Sequence, residues 1–97
     1  MGNYKEVFEK AIEVWGERSQ LEMAQEESTE LALAIRKFIR QQNDKRFLDM
    51  AGEIADVEIM IEQIKLMFPT IQEKVDDLKI FKINRLETRL DNLKYEG

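Results

Sequence analysis

The sequence predicts an all-α fold, an antiparallel bundle of about four helices, assembled as a homo-oligomer. Three observations predict it. Apolar residues recur at helical rather than alternating spacing. Punctuation is sparse, with one Pro and four Gly in 97 residues, which favours long uninterrupted helices. Asn3, Ser19 and Thr70 are each followed three residues later by Glu, the pattern of a capping box. No β-branched run alternates with polar residues, so no strand is expected. The length suits a single domain covering residues 1–97. A domain this small buries only a limited share of its surface, which is the reason to expect self-association.

The elements follow in order. Asn3 with Glu6 opens a first helix that carries Val7, Phe8, Ala11, Ile12 and Trp15 and ends near Gly16. Ser19 with Glu22 opens a second helix running to about Gln42. The polar stretch 41–45 is the connection, with Asn43 or Asp44 capping the next helix. The third helix runs from about Arg46 to Phe68, where Pro69 stops it, since the residue before proline is disfavoured in the α region. Thr70 with Glu73 opens the last helix, from about Ile71 to Leu93. Short connections make antiparallel neighbours.

Composition removes several classes of chemistry. Cysteine and histidine are both absent, so there is no disulfide framework, no thiolate or imidazole ligand and no Glu-x-x-His di-iron motif. A metal held by this chain must be held by oxygen, which favours hard cations such as Mg²⁺, Ca²⁺ or Mn²⁺. The net charge of −5 argues against a polymeric nucleic-acid partner, which needs a basic footprint. No apolar run approaches the ~20 residues that span a bilayer, and Met1–Glu6 shows no leader pattern. A cytoplasmic protein with no membrane partner is expected.

Placing charges at about 100° per residue puts carboxylates where apolar residues belong. On the second helix Ala24, Leu31, Ala34, Ile35 and Phe38 form the stripe. Glu27 falls in its middle, and Glu30 sits at its edge one turn on. On the third helix Met50, Ile54, Val57, Met60, Ile61 and Ile64 form a broad apolar arc. Glu53 lies inside that arc and Asp56 near its border. A single Glu-x-x-Glu pair is ordinarily a solvated face. Two pairs on the apolar sides of consecutive helices are different, because burying unpaired carboxylates costs several kcal/mol. A divalent cation resolves their repulsion, and salt bridges to inward Lys or Arg are the alternative. On the last helix Lys82 falls within the stripe and Arg85 at its edge. They are suited either to phosphate oxygens or to snorkelling and core pairing.

The ordered pair Glu26-Glu27-Ser28-Thr29-Glu30, an EExxE, and Glu53-Ile54-Ala55-Asp56, an ExxD, is separated by 22 residues. With Gly16 and Gln20 before it and Lys82-Ile83-Asn84-Arg85-Leu86 after it, this pattern resembles the MazG-like family of the all-α NTP pyrophosphatase superfamily, over roughly residues 12–90. The resemblance implies hydrolysis of a nucleoside triphosphate to the monophosphate and pyrophosphate. It implies Mg²⁺ on Glu27, Glu30, Glu53 and Asp56, and phosphate binding by Lys82 and Arg85. Glu26 and Glu27 are the catalytic candidates. Glu26 projects away from the stripe centre, so it either orients water or a neighbouring group or is simply solvated. Trp15 is a candidate for stacking on the base, as are Phe38 and the tyrosines, although an indole is more often a core or interface anchor. A nucleotide pocket shared between subunits, as in many relatives, implies a homodimer or homotetramer. Two alternatives stay open: a phosphoribosyl-ATP pyrophosphohydrolase, and a non-catalytic helical interaction protein whose inward charges set pairing register.

Overall fold

A computed structural model describes residues 4–96, with side chains through Leu93. The protein is all-α. Its helices are α1 (Lys5–Trp15), α2 (Glu17–Arg40), α3 (Asp44–Met67) and α4 (Ile71–Glu96), and no strand occurs among the described residues. The chain divides into two compact units, Met1–Met67 and Phe68–Gly97.

In the first unit α2 and α3 form an antiparallel hairpin, joined by residues 41–43, and α1 packs on both. The join between α1 and α2 is a single residue. Gly16 has φ +88°, a conformation that side chains other than hydrogen rarely adopt. Its N–H donates to Ile12 O at 2.8 Å, closing α1, while its own carbonyl accepts from Gln20 N at 3.1 Å, opening α2. This corrects the expected start of α2. Ser19 lies inside the first turn and caps nothing, and Glu22 instead accepts from Arg18 Nε at 3.1 Å. The expected cap at Asn3 falls outside the described residues. Gln41, extended at φ −147°, ends α2 two residues earlier than expected. Asn43 is the cap of α3, its Oδ1 accepting from Arg46 N at 2.9 Å, so α3 begins at Asp44.

The hairpin core is thin. Ala34 and Met60 are its buried apolar side chains, at 7% and 5% exposure. Beside them sits a buried polar pair: Gln20 Nε2 donates to Gln63 Oε1 across the two helices. Pairing matters here, because a buried amide without a partner costs about 1–3 kcal/mol. At the turn end of the hairpin the rings of Phe38 and Phe47 lie 6.3 Å apart.

The second unit is the α4 segment. Ile71 and Val75 near its start are half-buried, and from Asp76 to Leu93 every side chain is exposed, including Leu78, Leu86 and Leu90. No helix among the described residues is long and apolar enough to cross a membrane.

Candidate metal centre

Heptad spacing builds the centre. Glu27 lies seven residues after Gln20 on α2, and Asp56 lies seven residues before Gln63 on α3. Seven residues is close to two helical turns, so each carboxylate stays on the seam that the Gln20–Gln63 bond marks. Because the helices are antiparallel, seven residues onward on α2 and seven residues back on α3 lead the same way along the hairpin, so the two carboxylates arrive side by side. Glu27, Glu53 and Asp56 each present a carboxylate oxygen, all within 4.8 Å of one another. Glu27 and Glu53 are half-buried and Asp56 is exposed.

The electrostatics are those of an anionic cluster. The Glu27 carboxyl is pushed above its ordinary value, first by loss of hydration and then by the neighbouring charges of Asp56 and Glu53. Glu53 Oε2 is buried and has no hydrogen-bond partner. Hard oxygen donors, mutual repulsion and an orphaned carboxylate oxygen all fit a bound hard divalent cation. Glu27, Glu53 and Asp56 are the side chains that would hold it.

Glu30 is not part of this set of three. It is exposed and lines an adjoining groove of about 360 Å³ that also takes in Glu53, Asp56, Gly52, Lys37 and Arg46. Glu26 is exposed, on a shallow concavity shared with Glu27 and Glu30. Trp15 is 64% exposed on α1, beside Val14 and Ala11 on an apolar surface. Lys82 and Arg85 are exposed on α4, where the Arg85 guanidinium lies 5.8 Å from the centre of the Phe81 ring. Phe38 is half-buried and engaged with Phe47.

The sequence reading left three groove residues unnoticed. Lys37 and Gly52 carry no assignment from the sequence, and Arg46 only marks the expected start of α3. The available signal was again heptad spacing, since Lys37 lies seven residues after Glu30 and Arg46 seven before Glu53. Compared with known proteins, the chain matches no protein-family model, no curated protein and no solved structure.

Proposed function

We propose that the protein is a Mg²⁺-dependent nucleoside triphosphate pyrophosphohydrolase of the MazG-like type, with a role in cleansing nucleotide pools. The observation that carries the proposal is the meeting of Glu27, Glu53 and Asp56 within 4.8 Å. These are three of the four positions to which the MazG-like resemblance assigns the metal. A bound divalent cation would supply charge neutralisation on the phosphoryl oxygens and a lowered pKa for water.

The reaction requires a water oxygen to bond to the α-phosphorus while the bond to the α–β bridging oxygen breaks. The electron pair leaves with pyrophosphate, and the water proton passes to a carboxylate. Glu27, half-buried at the meeting of the three carboxylates, is the acceptor in this proposal. Glu26 borders the same concavity from the exposed side and orients the incoming water. No covalent nucleophile is needed, which suits a chain without Cys or His.

The protein acts as a homo-oligomer in this proposal. Support comes from exposed apolar side chains on every helix, among them Val14, Trp15, Leu33, Ile39, Leu48 and Leu86, more than a small monomer ordinarily leaves in water. Light scattering should return a multiple of the 11.5 kDa chain. A single-chain mass at micromolar concentration contradicts the oligomer.

The activity is tested by pyrophosphate release from a panel of ribo- and deoxyribonucleoside triphosphates with Mg²⁺, with phosphoribosyl-ATP included. Wild type should release pyrophosphate and Glu53→Gln should not. Equal rates in both proteins, or none in either, overturn the proposal.

A further inference from the structure

We infer that the groove beside the carboxylates is the receiving channel for a polyphosphate chain, with Lys37 and Arg46 binding its terminal phosphates. The inference rests on the pyrophosphohydrolase proposal for its orientation, but it stands on different residues. Its physical basis is a groove whose two ends differ in charge. Glu30, Glu53 and Asp56 line one part, and Lys37 and Arg46, with the single carboxylate of Asp49 beside Arg46, line the other.

The register of the hairpin places the two bases together. Lys37 and Glu30 are seven residues apart on α2, and Arg46 and Glu53 are seven apart on α3. Each base therefore stands about 10 Å along its helix axis from its carboxylate, on the same face. Side chains on a helix lean toward its N-terminus. Lys37 thus leans back along α2 toward Glu30, shortening the span to the acidic end. No ion pair or hydrogen bond engages the Lys37 ammonium among the described residues. Arg46 is half-buried and approaches Asp49 Oδ2 at 3.8 Å. That distance is long for a charge-assisted bond, and the guanidinium has five donors to offer.

Two further observations point to a ligand. Glu53 Oε2, at the acidic end, is buried with no hydrogen-bond partner. Gly52 lines the groove inside α3, and a Cβ built there meets nothing within 4 Å. A glycine inside a helix costs about 1 kcal/mol relative to alanine, and here the missing side chain leaves groove space open.

The charge order sets the orientation of a nucleoside triphosphate. The α-phosphorus lies at the carboxylates, where water attacks, and the β- and γ-phosphates run toward Lys37 and Arg46. Those two side chains then bind the departing pyrophosphate and stabilise the charge that grows on it. They act on substrate directly, and the class of ligand is a linear polyphosphate, bare or nucleoside-linked.

The test uses inorganic tripolyphosphate with Mg²⁺ as the probe in titration calorimetry, alongside steady-state kinetics on the best nucleoside triphosphate. The variants are Lys37→Gln, Arg46→Gln and Gly52→Leu, with Arg18→Gln as a control of equal charge change. Thermal melts confirm that each variant folds. Lys37→Gln and Arg46→Gln should each weaken tripolyphosphate binding, and raise KM for the triphosphate, by about tenfold. Gly52→Leu should weaken binding without lowering Tm. Arg18→Gln should match wild type, and Arg46→Lys should recover part of the loss. Wild-type failure to bind tripolyphosphate overturns the inference. So does unchanged binding and KM in Lys37→Gln and Arg46→Gln. If Glu53→Gln abolishes hydrolysis while those two variants keep wild-type KM, the channel is wrong and the activity stands. If wild type hydrolyses nothing yet binds tripolyphosphate through Lys37 and Arg46, the activity is wrong and the channel stands.

Discussion

The α2–α3 hairpin and α4 both carry apolar side chains at helical spacing and meet different fates. On the hairpin, Ala34 and Met60 are 7% and 5% exposed, and Gln20 and Gln63 are buried between the helices. On α4, Leu78, Leu86 and Leu90 are 54%, 53% and 52% exposed. An apolar stripe marks a face that wants cover, but only a neighbour at matching register supplies the cover. The hairpin has that neighbour, bound by a turn of three residues (41–43) and a heptad-spaced seam. Polar groups are tolerated in such a seam when they pair, as Gln20 and Gln63 do. Carboxylates in the same seam repel one another, a repulsion that a proton or a cation relieves. Chemistry is therefore expected from the paired region, and self-association from exposed apolar faces such as that of α4.

The largest expected effect lies in the hairpin. Glu53→Gln removes a donor and should lower pyrophosphate release by about a hundredfold or more, since even groups that only support metal ligands cost up to that much. The same substitution should raise Tm in the absence of divalent cations, because it removes a repelling, unpartnered charge. A lowered metal-free Tm breaks the claim that repulsion resides in this cluster.

The polar seam comes next. Gln20→Leu or Gln63→Leu alone leaves one buried amide unpartnered and should cost about 1–3 kcal/mol in urea unfolding. The double variant should recover much of that loss. Additive losses would show that the pair does not act across the hairpin. Gly52→Ala is smaller and opposite in sign. The Cβ meets no atom within 4 Å, so stability should rise by about 0.5–1 kcal/mol.

The pH dependence follows from Glu27. Its carboxyl is raised by lost hydration, Asp56 and Glu53, so the folded state holds the proton more tightly than the unfolded chain. The stability linked to this group is present below the ordinary carboxyl range and lost as pH rises through the raised value. Metal-free Tm should therefore fall across that window, and Mg²⁺ should raise Tm increasingly as the proton leaves. A metal-induced shift that is flat with pH contradicts the linkage.

Much of this was legible in the amino acids. Pro69 ended α3 near its expected place, and Asn43 was readable as the cap of α3, because both act within a few residues. The start of α2 was misread because Ser19 and Glu22 satisfy a capping pattern. Gly16 instead ends one helix and begins the next, which only its positive φ reveals. Helical angles alone put Glu27 and Glu53 on the inner faces, where both are half-buried, and Asp56 at a border, where it is exposed. Glu30, at the stripe edge, is exposed and lines the groove without joining the close cluster. Lys37, Arg46 and Gly52 line a groove drawn from two helices, and its one trace in the sequence was the heptad spacing of Lys37 from Glu30 and of Arg46 from Glu53.

The most direct measurement of the central claim is Mn²⁺ binding followed by electron paramagnetic resonance, with Mn²⁺ standing in for Mg²⁺. Wild type should show saturable binding that Mg²⁺ displaces, and Asp56→Asn or Glu53→Gln should weaken it strongly while remaining folded. Indistinguishable Mn²⁺ titrations in wild type and both variants would mean that the three carboxylates do not hold a shared cation.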